Sequence, residues 1–190
     1  MTLPNIITLS RIGLIPVFVG LFYLQPNYLE GEPLAWINNS LVAIYVLISS
    51  TDFLDGLLAR KLNQISDLGA FLDPVADKLI VVAAIVLLLE VHSTPWFALP
   101  AIVIIGREIV ISALREWMAN LGVGDNVAVS MLGKIKTWVQ MVAVALLLLA
   151  KPEQEWLMQI GFVAIYLAAL MTIWSMIQYL RLAWPHLSAN

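Results

Sequence analysis

The chain has 190 residues, of which 61% are hydrophobic and only 12% are charged, and its mean hydropathy is +0.90. Because about a quarter of the residues of a soluble domain are charged, this composition excludes an ordinary soluble globular protein and indicates a membrane protein. The sequence contains no cysteine, which excludes a disulfide framework, and nothing in it suggests nucleic-acid binding.

Six apolar stretches are each long enough to cross a bilayer, which takes about 20 helical residues. In chain order these stretches are residues 6–25, 34–60, 69–92, 96–119, 131–150 and 156–182. Proline, glycine and polar residues separate them. The sequence therefore predicts an all-α polytopic membrane protein with six transmembrane helices in one domain, residues 1–190. Five or seven spans are the alternatives.

Lysine and arginine are distributed unevenly between the two sides of this predicted bundle. Most of them lie at or near the side that holds both termini and the loops 61–68 and 120–130, whereas the other side has Lys151 and five glutamates. Since cytoplasmic segments of membrane proteins are enriched in Lys and Arg, we expect both termini to be cytoplasmic.

Four aspartates interrupt the second and third apolar stretches at this same side. Asp52 and Asp55 share one face of a helix, and Asp73 and Asp77 share a face of the next helix with Gly69. The two helices are predicted to be antiparallel neighbours across a short loop. We therefore expect the four carboxylates to converge in one pocket.

A purely structural role for these four carboxylates is energetically unfavourable. An aspartate at membrane depth costs about 2.5–3.5 kcal/mol, and like charges in one pocket repel one another. Divalent cations such as Mg²⁺ or Mn²⁺ would offset both costs, and two ions can share bridging carboxylates. The alternative is that the aspartates pair with Arg60, Lys61 and Lys78 or face cytoplasmic water.

The spacing of these residues resembles the signature of the CDP-alcohol phosphotransferase family. It reads Asp52-x-x-Asp55-Gly56-x-x-Ala59-Arg60, then eight residues, then Gly69-x-x-x-Asp73-x-x-x-Asp77. The resemblance implies a membrane enzyme with six spans, commonly a homodimer, that uses divalent metal to transfer a group from a CDP-linked donor to an alcohol with release of CMP.

Other segments resemble the bacterial phosphatidylglycerophosphate synthases, a branch of this family. They are Pro4–Thr8 with Arg11, Gly106–Glu108, Arg115–Ala119 and Gly133–Thr137. This likeness covers nearly the whole chain. It implies CDP-diacylglycerol as donor, sn-glycerol 3-phosphate as acceptor and a bacterial inner membrane as the location.

The resemblance also implies roles for the signature residues. The four aspartates would hold the metal, with Asp77 also serving as general base. The CDP donor would contact Asp52, Gly56, Ala59, Arg60 and Gly69, covered by Asn5, Thr8 and Arg11 from the N-terminal segment. The alternatives are helix packing for the small residues, a cytoplasmic anchor for Arg60, and helix capping or headgroup contact for the N-terminal residues.

The phosphate of the acceptor requires cations, and we expect Arg107, Arg115 and Lys134 to supply them, with Lys136 a weaker candidate. Arg107 is the most informative of these, because it lies inside the fourth apolar stretch, where an unpaired charge is costly. The alternatives are that Arg107 pairs with one of the aspartates and that Arg115 pairs with Glu116 or lipid headgroups.

Two other functions are weighed against this interpretation. One keeps the family but changes the acceptor to phosphatidylglycerol, inositol phosphate or serine. The other is a cation transporter or channel, which would have acidic groups distributed through the membrane depth instead of clustered at one end.

Overall fold

The computed structural model describes residues 3–25, 36–62, 67–120, 131–150 and 154–187. Within these ranges it describes every side chain except those of residues 3–4, 52–62, 67–68, 70–71, 73, 77, 131–134 and 186–187. The helices are α1 (Leu3–Tyr23), α2 (Trp36–Leu62), α3 (Asp67–His92), α4 (Pro95–Asn120), α5 (Met131–Leu149) and α6 (Glu155–Leu187). All regular secondary structure in these ranges is helical, which confirms the all-α prediction, and the predicted bounds agree to within a few residues.

The outer surface of the bundle is apolar. Within the described residues, three helices are long and apolar enough to cross a membrane, at Asn5–Tyr23, Pro95–Asn120 and Glu155–Pro185, and Ile135–Leu149 is a shorter apolar helix. Large apolar side chains such as Ile102 and Leu170 are exposed on these helices. Lipid is the solvent that suits such a surface, so the protein is a membrane protein. The count of six spans stays a prediction.

Contacts between helices show that the bundle has two chemically different ends. Tyr23 at the end of α1 donates a hydrogen bond to Glu90 Oε2 near the end of α3 (2.8 Å). Tyr166 near the start of α6 donates to the carbonyl oxygen of Trp96 at the start of α4 (2.6 Å). The starts of α1, α3 and α5 and the ends of α2, α4 and α6 therefore lie at the opposite end, which we call the polar end.

The turn between α3 and α4 is short. Its residues form hydrogen bonds with backbone groups at the end of α3 and at the start of α4. Ser93 has a left-handed φ of 27°, and its hydroxyl donates to the carbonyl oxygen of Glu90 (2.6 Å), as at many helix C-termini. Thr94 Oγ1 accepts from the amide of Phe97 (3.4 Å) and caps α4. Pro95 occupies the first helical position, where no amide proton is needed.

The interior of the bundle is closely packed. Helix α1 packs against both α2 and α3, and α5 packs against α6, α2 and α3. Phe18, Tyr45 and Ile165 are among the fully buried side chains of this core. Gly161 on α6 lies so close to α5 that a Cβ atom there would be 2.7 Å from Leu147 Cδ2.

Candidate active site

The polar residues at the start of α1 face the interior of the bundle. Asn5, Thr8 and Arg11 have exposed fractions of 5%, 0% and 2%, and each interacts with other parts of the protein. Because α1 begins at Leu3, Asn5 lies inside the helix, so helix capping does not explain it. Contact with lipid headgroups is also excluded, since these side chains are buried. Neither alternative explanation accounts for these buried side chains, and their contact with the donor stays a prediction.

The four aspartates lie on two helices that contact each other. Asp52 and Asp55 are in the second half of α2, and Asp73 and Asp77 are in the first half of α3. Their side chains lie outside the described residues, so the convergence of the carboxylates stays a prediction. The same holds for the side chains of Ala59 and Arg60.

The small residues of the signature also fall on these helices. Gly56 lies in the second half of α2, among the residues whose surroundings are not described. Gly69 is the third residue of α3 and is buried.

Asp52, Asp77 and Arg107 lie at similar distances along their helices from the polar end. Asp52 is ten residues before Leu62, the last residue of α2, and Asp77 is ten residues after Asp67, the first residue of α3. Arg107 is thirteen residues before Asn120, the last residue of α4. At 1.5 Å per residue these positions are about 15–20 Å from the helix ends. Asp52, Asp77 and Arg107 are therefore at comparable distances along their helices from the polar end.

The donor atoms of the four aspartates suit a hard divalent cation. Aspartate supplies oxygen ligands only, and Mg²⁺ and Mn²⁺ are bound by oxygen. Among the residues whose side chains are described, no group of three or more His, Asp or Glu could hold a metal ion. The four aspartates of α2 and α3 stay the predicted metal ligands.

Arg107 is the centre of a buried polar cluster that joins α4, α5 and α6. Its Nη1 is 2.9 Å from Glu108 Oε1, and its Nη2 donates to Ser175 Oγ on α6 (2.9 Å). Lys136 Nζ on α5 donates to the same Glu108 oxygen (2.7 Å). Arg107 and Lys136 are 8% and 1% exposed. The described carboxylate partner of Arg107 is thus Glu108, and the alternative of pairing with a signature aspartate falls on side chains outside the described residues.

Several polar atoms beside this cluster are buried without a hydrogen-bond partner among the described residues. They are Arg107 Nε, Gln140 Oε1 and Thr172 Oγ1. Gln140 follows Lys136 by one turn on α5, and Thr172 precedes Ser175 by one turn on α6. Buried polar groups are nearly always hydrogen-bonded in native proteins. These atoms therefore have capacity to bind a polar ligand or water.

Arg115 lies two turns closer to the polar end on α4. Its Nη2 donates to the hydroxyl of Tyr179 on α6 (2.7 Å), and its guanidinium carbon is 5.0 Å from the centroid of the Tyr179 ring. Arg115 therefore contacts Tyr179, where the alternative placed Glu116 or lipid headgroups. Lys134 lies in the first turn of α5, and its side chain is outside the described residues.

Three residues that contact the cations, Glu108, Ser175 and Tyr179, were not predicted to do so. Thr172, Ser175 and Tyr179 lie on one face of α6. This row of polar residues on an otherwise apolar helix is the sequence pattern from which their role could have been predicted. Glu108 was noted only as part of a family-like segment. Lys136 was ranked below Lys134, although its burial is nearly complete.

Comparison with known proteins identifies the family. The model of the CDP-alcohol phosphatidyltransferase family matches residues 1–174. The chain belongs to this family. It is 45% identical, over 196 aligned residues, to the CDP-diacylglycerol–glycerol-3-phosphate 3-phosphatidyltransferase of Pseudomonas fluorescens, and the match covers 100% of this chain and 94% of that enzyme.

Other members of the CDP-alcohol phosphatidyltransferase family are similar over almost the same length. The enzymes of that same name from Shigella flexneri and Pectobacterium atrosepticum are each 48% identical over 181 residues, which is 95% of this chain and 94% of each relative. The resemblance inferred from the aspartate signature and from the segments near Arg107 and Lys134 is therefore confirmed.

Proposed function

We propose that this protein transfers the phosphatidyl group of CDP-diacylglycerol to sn-glycerol 3-phosphate, giving phosphatidylglycerophosphate and CMP. Near-full-length identity of 45–48% to enzymes named for this reaction supports the proposal. The structural observation that carries it is the buried pair of cations, Arg107 and Lys136, which share one carboxylate oxygen of Glu108. A phosphorylated acceptor needs such cations, whereas serine does not.

In this reaction Asp52, Asp55, Asp73 and Asp77 would hold two Mg²⁺ or Mn²⁺ ions. The metal would supply positive charge that offsets the charge of the donor's diphosphate and of the departing CMP. Asp77 also accepts the proton that the acceptor hydroxyl loses when it attacks the phosphorus bearing diacylglycerol. A carboxylate within hydrogen-bond reach of the hydroxyl can serve as this base.

The CDP donor binds between α1, α2 and α3. Asp52, Gly56, Ala59, Arg60 and Gly69 contact it, the small residues by leaving room for the cytidine and Arg60 by pairing with the diphosphate. The buried Asn5 and Thr8 of α1 support this assignment, because α1 packs directly on α2 and α3.

The phosphate of the acceptor binds to Arg107, Arg115, Lys134 and Lys136. The unpartnered Arg107 Nε supports this assignment, because the guanidinium has a donor available beyond its bonds to Glu108 and Ser175. Guanidinium groups suit bidentate binding of phosphate, and ammonium groups add point charges.

The charge distribution along the chain supports a location and an orientation. With six spans in a bacterial inner membrane, the basic polar end faces the cytoplasm, where glycerol 3-phosphate is available to the site.

The resemblance to the family also supports two further parts of the proposal. Residues 1–190 form one catalytic domain, and the protein functions as a homodimer in the lipid bilayer.

The direct test is an assay of the purified protein with CDP-diacylglycerol, Mg²⁺ and labelled glycerol 3-phosphate. We expect release of CMP together with label in a lipid product. Parallel reactions with inositol phosphate, serine and phosphatidylglycerol test the acceptor. CMP release with one of these, and none with glycerol 3-phosphate, would refute the proposed acceptor.

A matched pair of variants on α3 tests the assignment of the base. Asp77→Asn should abolish turnover while metal-dependent binding of the donor is partly retained, because the amide cannot accept the proton. Asp67→Asn, at the first residue of the same helix and outside the signature, should keep wild-type turnover. An active Asp77→Asn variant would contradict the role of Asp77.

A further inference from the structure

Glu108 is a buried acidic residue in a part of the molecule that has to bind an anion. We propose that Glu108 is a positioning residue that holds Arg107 and Lys136 at the spacing required by the phosphate of the acceptor. This inference rests on the proposed function, because it takes the acceptor to be a phosphorylated alcohol.

The geometry of the contact supports a positioning role. Arg107 Nη1 and Lys136 Nζ are 2.9 Å and 2.7 Å from the same atom, Glu108 Oε1, so the two nitrogens are at most 5.6 Å apart. One phosphate group can contact two cations at such a separation. A single carboxylate oxygen therefore sets the distance between the two cations.

Backbone packing does not set this distance. Helices α4 and α5 each pack against α3 and α6, but they do not pack against each other within the described residues. The bond from Lys136 to Glu108 connects the two helices across this separation. Without Glu108, no other described side chain holds Lys136 beside Arg107.

The two cations keep donors free for a ligand. An ammonium group has three N–H donors and a guanidinium group has five. Lys136 has one bond to Glu108, and Arg107 has bonds to Glu108 and Ser175 while its Nε has no described partner. Two cations and one carboxylate also leave a net charge of +1, so the cluster still attracts an anion.

Burial explains why loss of the carboxylate would disturb the site. Lys136 is 1% exposed, and a buried ammonium group without a counter-ion is strongly disfavoured. In a Glu108→Gln variant, Lys136 would turn away or lose its proton. Either change removes a cation from the site of the acceptor and leaves the site of the donor on α1, α2 and α3 intact.

Steady-state kinetics of Glu108→Gln test the proposal. The KM for glycerol 3-phosphate should rise about tenfold or more, as expected for loss of a hydrogen bond to a charged group. The KM for CDP-diacylglycerol should change less than about twofold, and Glu108→Asp should recover part of the loss. The matched control is Glu90→Gln at the opposite end of the bundle, where Glu90 accepts from Tyr23, and it should leave both KM values unchanged.

A second variant separates positioning from folding. Glu108→Gln/Lys136→Gln removes one negative and one positive charge, so the cluster keeps its net charge of +1, and the bond from Arg107 Nη2 to Ser175 Oγ remains. We expect this variant to unfold near the wild-type temperature and still to have a raised KM for glycerol 3-phosphate. An unchanged KM for glycerol 3-phosphate in both variants, or an equal rise for acceptor and donor, would overturn the proposal.

Calorimetric titration with glycerol 3-phosphate distinguishes this inference from the proposed function. If the wild-type protein releases no CMP with this acceptor, the proposed function fails. Titration of the metal-loaded protein without donor then tests Glu108 by itself. Weaker binding to Glu108→Gln than to wild type supports the inference, and equal binding to both, or binding to neither, overturns it.

Discussion

Tyr179 contacts Arg115 through two different groups, which can be removed one at a time. Its hydroxyl accepts a hydrogen bond from Arg115 Nη2, and its ring lies under the guanidinium group. Tyr179→Phe should raise the KM for glycerol 3-phosphate about fivefold, because one hydrogen bond contributes about 1 kcal/mol. Tyr179→Leu should raise it further, because a cation–π contact adds about 0.5–1 kcal/mol.

The control for this pair is Tyr166→Phe, which removes a hydroxyl bonded to Trp96 at the opposite end of the bundle. Its KM for glycerol 3-phosphate should equal that of the wild type. Equal KM values for Tyr179→Phe and wild type would show that the hydroxyl does not orient Arg115 for the acceptor.

Arg107 illustrates what sequence reasoning can and cannot predict for a single residue. A guanidinium inside an apolar stretch is costly, so the sequence alone marked this position as functional. Its partners were not predictable. Adjacent residues on a helix do not normally face each other, and Arg107 and Glu108 meet at a cluster to which α5 and α6 contribute Lys136 and Ser175. Such contacts depend on how three helices pack.

The sequence predicted Lys136 only as a weaker candidate and did not predict Ser175. Lys136 is near the start of α5, a position at which a lysine usually reaches the interface, and the tertiary fold buries it instead. Ser175 lies on α6, far in sequence from the aspartate signature at residues 52–77, so the signature gave no reason to consider it.

The helices were the most predictable level of structure. Each apolar run is ended by proline, glycine or polar residues, and α4, for example, is Pro95–Asn120 where the sequence predicted 96–119. Packing between helices was less predictable, because it depends on side-chain shape. The contact of Gly161 with Leu147 is one such case.

Substitution of Gly161 tests the packing of α5 on α6. Gly161→Val places side-chain atoms where Leu147 already lies, 2.7 Å from a Cβ, and overpacking of this kind costs about 1–3 kcal/mol. We expect a lower unfolding temperature in detergent. Gly20→Val is the matched control, since no atom lies within 4 Å of a Cβ at that position. Equal unfolding temperatures for the two variants would mean that α5 and α6 are not in close contact at this point.

At the scale of the whole molecule, the two ends of the bundle should lie on opposite sides of a membrane. Helix α4 has 26 residues, which gives a length of about 39 Å at 1.5 Å per residue. This exceeds the roughly 30 Å of a hydrocarbon core. Ser93 lies just before α4, and Asn120 is its last residue. We therefore expect these two residues to be exposed on opposite sides of the membrane.

Single cysteines at these two positions test the orientation, because the chain contains no other thiol. In spheroplasts of a bacterial host, a membrane-impermeant maleimide should label Ser93→Cys and leave Asn120→Cys unlabelled, since we expect the basic polar end to face the cytoplasm. Both variants should react after permeabilisation. The reverse pattern would place the aspartates outside the cytoplasm.

The cluster around Arg107 draws on three consecutive helices, and this has a consequence for biosynthesis. Chains fold as they are synthesised from the N-terminus. Helix α4, which contains Glu108, is therefore synthesised before α5, which contains Lys136. Glu108 is thus already present as the counter-ion when Lys136 is synthesised. The partners of the two arginines, Ser175 and Tyr179, are translated last. A nascent chain that stops before α6 would already contain all four aspartates but would lack the helix that completes the contacts of the arginines.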